Sequence, residues 1–246
     1  MEGIYLQFSL HVPMNVIDLV GTVLSWGIFI YFIYYFYQKQ EKELTLWKAC
    51  LAAFAGVISF NINTTMFHTD LSLPILPIGV WLLLWYASTR KNGAWERYRP
   101  FAWLGFLSNY VTIVIMILSL AIHNLVFPKD DLTTFIANYE HAELMATHPS
   151  ADEVILDVER LEQQLPLFEQ SSLMDLSWYE EIAYGERSEQ NEQFPYMLTG
   201  TYTKWGSGLP AILYVERDGK GILIELPDEQ RYFRADDSVL KGGGIE

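Results

Sequence analysis

The sequence predicts a membrane protein with four transmembrane helices, followed by a small soluble α+β domain in which helices accompany an antiparallel β-meander. Apolar residues crowd into the first half of the 246-residue chain, in segments of the length that crosses a bilayer. Charge crowds into the second half, where residues 127–246 hold nine Lys or Arg and 24 Asp or Glu, a net charge of −15. The second half also ends in short apolar segments separated by glycine turns, which is typical of strands.

We divide the chain into a transmembrane domain, residues 1–127, and an acidic soluble domain, residues 128–246. A helix needs about 20 apolar residues to span the hydrocarbon core. Residues 101–127 exceed that length, so this last span can project a turn into the headgroup region. The span that follows Asp70 is the weakest, because Pro74 and Pro77 fall near its start. The four predicted spans are residues 19–37, 49–67, 71–88 and 101–127.

Basic residues predict the orientation, because Lys and Arg are retained on the cytoplasmic side. All seven in the first half fall in two links, 38–48 and 89–100, whereas the N-terminal segment and residues 68–70 hold none. We therefore expect a multi-pass protein of the plasma membrane with both the N terminus and the C-terminal domain outside. No cleavable signal peptide is predicted, so the first helix is expected to act as the targeting signal.

In the soluble domain, apolar spacing predicts two helices, one beginning at Leu132 and one capped by Ser150 with Glu153. A third helix is predicted over 173–184. The segment Asp218-Gly219-Lys220-Gly221 predicts a hairpin turn. The predicted strands are residues 196–205, 211–216, 222–226 and 231–235.

Composition and motifs exclude several function classes. The chain has one cysteine, Cys50, which excludes an intramolecular disulfide, a cysteine zinc site and paired-cysteine redox chemistry. The acidic balance argues against nucleic acid and anionic headgroups as partners, and favours cations or basic partners. The sequence holds no H-E-x-x-H, no phosphate-binding loop and no G-x-S-x-G motif.

Polar residues near the predicted outer surface form a candidate site. Asn61 and Asn63 are expected to line a vestibule, and bonding between helices is the alternative. His68, Asp70 and His123 are candidate ligands of a divalent metal, or members of a proton relay, and no other cofactor is predicted. The alternative is that these three are ordinary solvated groups at the interface.

Two aromatic residues of the soluble domain, Tyr202 and Trp205, are candidates for binding a peptide or glycan partner. A core or cross-strand role is the alternative. The carboxylates 180, 181, 186, 189 and 192 could attract calcium, or form a solvated charged face.

Three functions remain open. The leading hypothesis is a non-enzymatic sensor, binding or accessory protein that acts at the cell envelope through its acidic domain. The second is an oligomeric transporter or channel subunit, or an accessory to one, and the third is an intramembrane metal-dependent enzyme. The expected partners are the lipid bilayer and another membrane or envelope protein; a homo-oligomer stays open and nucleic acid is not expected.

Overall fold

A computed structural model describes residues 15–40, 45–66, 69–89, 93–172, 192–227 and 229–242. The chain divides into two compact units, Met1–Ile122 and His123–Glu246. Each unit is described by itself below.

The first unit is built from helices. The four helices are α1 (Val16–Lys39), α2 (Leu46–Val57), α3 (Ile78–Thr89) and α4 (Ala94–Val126), and α4 continues into the second unit. Only α1 and α4, among the described residues, are long and apolar enough to cross a membrane. Helices α2 and α3 have 12 residues each, which is about 18 Å of helix and less than the hydrocarbon thickness of about 30 Å.

A β-hairpin separates α2 from α3, made of β1 (Phe60–Met66) and β2 (Thr69–Leu76). The prediction of continuous helices over 49–67 and 71–88 is therefore wrong. In β1 apolar and polar residues alternate, which is the period of a strand, and Asn and Thr are poor helix formers. Pro74 and Pro77 cannot donate the main-chain hydrogen bonds that a helix interior requires. The two outer spans, 19–37 and 101–127, do lie on helices.

The second unit contains a six-stranded antiparallel sheet in the order β3-β6-β7-β8-β9-β5. A separate pair joins β4 to β10, and one α-helix, α5 (Val158–Gln164), is present in the described part of this unit. The strands are β3 (Glu143–Ala146), β4 (Ile155–Leu156), β5 (Glu169–Ser171), β6 (Tyr196–Thr199), β7 (Ile212–Val215), β8 (Gly221–Glu225), β9 (Gln230–Arg234) and β10 (Leu240–Lys241).

The predicted antiparallel meander is confirmed by β6 to β9, which pair in sequence order. Its hairpin turn carries Gly219 at φ 70°, a left-handed conformation that glycine adopts without strain. One face of the sheet packs on a core that includes Phe135, Leu161 and Phe233, all fully buried.

Two predicted helices of this unit differ from the observed ones. Leu132–Thr134 forms a single 3-10 turn, after which the chain leads to β3. The next helix begins at Val158 with Asp157 as its N-cap, because Ser150 accepts a hydrogen bond from Arg217 instead of capping a helix. The predicted third helix, 173–184, lies outside the described residues.

Candidate functional site at the interrupted helix pair

The buried face of α2 is made of small residues, while many large apolar residues of the first unit face outward. The buried positions of α2 are Ala49, Ala52, Ala53 and Gly56. By contrast, Trp47 and Trp85 are each 69% exposed. Helices of soluble proteins bury their large apolar side chains in a core, whereas helices in lipid associate through small residues.

Three glycines bring the main chains of these helices into close contact. A Cβ atom at Gly56 would collide with the main-chain oxygen of Ala102, and one at Gly105 with that of Ala53. A Cβ at Gly79 would likewise collide with the main-chain oxygen of Ala55. These contacts join α2 to α4 and α3 to α2 at backbone distance.

The break between α2 and α3 is closed by hydrogen bonds that replace the missing helical ones. The Asn109 side chain of α4 donates from Nδ2 to the main-chain oxygen of Val57 at 3.0 Å. The Gly79 main-chain N–H donates to the oxygen of Ile58 at 2.8 Å, so the C-terminal end of α2 meets the N-terminal end of α3. Tyr110 donates from its hydroxyl to the oxygen of Pro74 at 2.7 Å.

Asn61 and Asn63, the predicted vestibule residues, lie on β1 beyond this break. Both are exposed and share one face of the strand. Their amide oxygens accept hydrogen bonds, from Ser59 to Asn61 at 2.8 Å and from Ser72 to Asn63 at 2.6 Å. Amide and hydroxyl groups are neutral at every physiological pH, so they suit the orientation of a polar solute or a cation rather than proton transfer.

That His68, Asp70 and His123 together bind one metal ion remains a prediction. The Nε2 atom of His123 lies 2.8 Å from the main-chain oxygen of Ser207, and its ring packs on Phe127. The backbone of Asp70 pairs with Thr65 in the hairpin, and His68 lies outside the described residues. Within the described ranges, no group of three or more His, Cys, Asp or Glu side chains is placed to hold a metal ion.

Tyr202 and Trp205 both lie on the surface of the second unit, 64% and 87% exposed. The strand predicted over 196–205 ends at Thr199, so both residues belong to the loop that leads to β7. Neither side chain is buried in the core, but the backbone of Tyr202 forms an isolated antiparallel bridge with Asn138, so the cross-strand alternative holds for its main chain. Of the predicted carboxylate cluster only Glu192 is described, and it is exposed.

A network of charged side chains that the sequence did not reveal surrounds the β7–β8 turn. Glu216 accepts hydrogen bonds from the Tyr232 hydroxyl and from Arg234, and Arg234 also donates to Asp218 at 2.6 Å. Burial, together with the bond to Glu216, raises the pKa of Tyr232 to about 12. Hydrogen bonding to Tyr232 and Asp218, and both nearby carboxylates, raise the pKa of Arg234. Each of these groups is already paired, so the network stabilises the turn.

Comparison of the chain with protein-family models, curated proteins and solved structures finds no match in any of the three. A function can therefore be inferred only from the residues of this chain.

Proposed function

We propose that this chain is a multi-pass protein of the plasma membrane that holds an acidic α+β unit outside the cell and uses it to bind a partner at the cell envelope. The observation that carries the membrane assignment is the surface of the first unit, where many large apolar side chains, Trp47, Trp81 and Trp85 among them, are exposed. Exposing so many tryptophan, leucine and isoleucine side chains to water would cost about 25 cal/mol per Å² of apolar surface. Lipid removes that cost.

The two long helices support the same assignment. Only 17% of the most apolar window of α1 and 22% of that of α4 is buried. A core helix of a soluble protein can be equally apolar, but most of its surface is buried against the rest of the protein. Here the apolar surface of both helices faces outward, where acyl chains can cover it.

The short pair α2 and α3 can enter the membrane from the cytoplasmic side and return to that side as one re-entrant element. Their break leaves no unpaired carbonyl at Val57, Ile58 or Pro74, and interrupted helices are tolerated at membrane depth when such groups are bonded within the protein. The hairpin between them has open strand edges, which must face protein or water rather than acyl chains. Both basic links then remain on the cytoplasmic side.

Topology is tested by adding a protease to intact cells and, separately, to inverted membrane vesicles. The expected result is cleavage of the second unit in intact cells and its protection in inverted vesicles, with a cytoplasmic reporter protein showing the opposite pattern. Cleavage of this unit only in inverted vesicles would reject the orientation. Extraction of the intact protein by alkaline carbonate would reject the membrane assignment itself.

The binding role is supported by the surface charge of the second unit. Seven ion pairs join its described residues, yet residues 127–246 keep a net charge of −15. Exposed carboxylates, including Glu143, Glu159 and Glu225, favour a partner with a basic surface and make association faster at low salt.

Crosslinking tests this role in living cells. A photoreactive amino acid at Met145, on the exposed edge strand β3, should give a discrete adduct whose yield falls as salt is raised. The same group at Leu24, an exposed residue inside α1, serves as a lipid-facing control. No salt-sensitive adduct from the second unit, or chemical turnover of an envelope substrate by the full-length protein, would contradict a binding role.

A subunit or accessory of a transporter is the second candidate, and the interrupted helix pair favours it. Secondary transporters place substrate sites at broken helices whose ends point at the solute. Here the break lies next to Ser59 and Asn109, with Asn61 and Asn63 beyond it. If Asn61→Ala and Asn63→Ala leave every measured solute or ion flux unchanged, this candidate loses its support.

A further inference from the structure

The loop that carries Trp205 is tied to the C-terminal end of α4. The main-chain oxygen of Ser207 lies 2.8 Å from the Nε2 atom of His123, and both residues are buried. His123 lies in the last turn of α4. Trp205 is two residues from Ser207, so the position of the helix end fixes the position of this loop.

The same loop is held rigidly by its own hydrogen bonds. The Lys204 N–H donates to the oxygen of Thr134 at 2.9 Å, and the Ser207 N–H donates to the oxygen of Lys204 at 3.0 Å. Gly206 has a φ of 82°, which lets the chain turn sharply directly after Trp205. The indole is thereby presented to the outside at the tip of a turn, instead of folding back on the unit.

Large apolar side chains are exposed close to both partners of the His123–Ser207 bond. Trp205 is 87% exposed and Leu125 is 82% exposed, and Val126 is exposed as well. All three lie within a few residues of the His123–Ser207 bond. Exposed apolar residues on both sides of one bond are what contact with a membrane or a partner requires.

The depth of this point in a bilayer follows from the length of α4. Residues 100–128 carry no Lys, Arg, Asp or Glu, and the 27 residues from 101 to 127 extend about 40 Å as a helix. The hydrocarbon core is about 30 Å thick. If the charge-free stretch begins at the inner boundary, just after Arg99, the turn around His123 lies in the outer headgroup region.

We infer that Trp205 is a membrane anchor, whose indole inserts among the lipid headgroups of the leaflet in which α4 ends. Tryptophan prefers that region because its ring is apolar and its N–H can still find a hydrogen-bond acceptor. An uncharged anchor also suits an acidic unit, since it needs no anionic lipid. This inference rests on the proposed membrane function, and it assigns lipid, rather than a peptide or glycan, as the ligand of Trp205.

The test follows single tryptophans in the full-length protein in phosphatidylcholine nanodiscs. The chain has eight tryptophans, and all are replaced by 5-fluorotryptophan. The resonance that disappears in Trp205→Phe is assigned to Trp205. Because Trp205 is exposed, phenylalanine at this position should leave the fold intact. A matched control is Asp236→Trp, because Asp236 is exposed next to the β7–β8 turn, at the end of the sheet away from the Trp205 loop.

The expected result is that a lipid with a nitroxide headgroup broadens the Trp205 resonance, while a water-soluble gadolinium chelate leaves it sharp. The resonance at position 236 should behave in the opposite way. Broadening of Trp205 by the chelate, to the same degree as position 236, overturns the anchor. So does protection of Trp205 from both reagents, which would mean that a protein or a second copy covers it. Alkaline carbonate distinguishes the two failures: a chain that stays in the membrane with a chelate-exposed Trp205 rejects the anchor alone, whereas a chain that is extracted rejects the proposed function.

Discussion

The side-chain amide of Asn109 donates a hydrogen bond to the main-chain oxygen of Val57 at 3.0 Å. Val57 is the last residue of α2, so its carbonyl lacks the partner that a further helical turn would supply. Asn109 lies 52 residues away on α4. Helix α4, which is long enough to cross a membrane, thus supplies the hydrogen-bond donor that the end of the shorter helix α2 lacks.

Replacing Asn109 by leucine should destabilise the first unit by about 0.6–2 kcal/mol, the range of hydrogen bonds between helices in membranes. The loss leaves the Val57 carbonyl without this donor, and in the proposed bilayer setting water does not replace it. The measurement is the thermal midpoint of the full-length protein in nanodiscs.

Thr112→Val is the matched control for Asn109→Leu. Thr112 lies on α4, as Asn109 does, and its hydroxyl bonds to Ser25 of α1 and donates to the main-chain oxygen of Ser108. Valine removes both bonds, but the Ser108 carbonyl keeps its helical N–H donor. We expect Thr112→Val to cost less than Asn109→Leu. Equal midpoints for the two variants would mean that the carbonyl of Val57 does not depend on Asn109.

Gly105→Ala should destabilise the same unit by about 1–3 kcal/mol, as overpacked positions do. Its new Cβ would meet the main-chain oxygen of Ala53, which can move only if α2 and α4 separate. Gly27→Ala is the control, since a Cβ at Gly27 meets nothing within 4 Å. Alanine there should be neutral or stabilise α1 by up to about 1 kcal/mol. If the two substitutions shift the thermal midpoint equally, close packing at Gly105 is not what holds the helices.

The sequence predicted the long helices well and the interrupted ones poorly, for a physical reason. Helices α1 and α4 are uninterrupted apolar segments, so hydropathy alone finds them. The hairpin is also apolar on average, and hydropathy cannot tell seven residues of strand from two turns of helix. The alternation along β1, together with Pro74 and Pro77, was the available signal for the break.

In the second unit, local sequence predicted the features that are set locally and missed those that depend on distant contacts. The turn sequence at Gly219 predicted the β7–β8 hairpin because its conformation is set locally. The helix capped by Asp157 was placed several residues too early, because Ser150 carries the same local capping signal and is engaged by Arg217 only in the folded unit. The exposure of Trp205 depends on where the chain turns at Gly206, which alternation within a strand does not encode.

Asp157 should make the second unit sensitive to acid. Burial alone would raise the pKa of this carboxyl group, but hydrogen bonds and charges from Lys241 and Arg160 outweigh burial and lower it. A folded-state pKa below the unfolded value of 3.8 means that the stabilisation is complete above about pH 4 and is lost as the pH falls below it.

Calorimetry of the full-length protein in nanodiscs checks this expectation for Asp157. The unfolding temperature of the second unit should fall below about pH 4, and it should fall less in Asp157→Asn, which starts lower at neutral pH. Asp236→Asn, at an exposed carboxylate, should follow the native chain. An acid response of Asp157→Asn equal to that of the native chain would contradict the assignment.

Tyr232 should give the second unit a separate sensitivity to alkali. Burial and the bond to Glu216 raise the pKa of its hydroxyl from 10.0 to about 12, since a tyrosinate would face a carboxylate at hydrogen-bond distance. The stabilisation from this hydroxyl is therefore complete below pH 10 and is lost as the pH rises through about 12.

Tyr232→Phe removes the hydroxyl and keeps the ring that packs on Phe194. The difference in unfolding temperature between the native chain and this variant should stay constant up to about pH 10 and shrink between pH 10 and 12. A difference that stays the same across that interval would show that Tyr232 keeps its proton or that Glu216 does not depend on it.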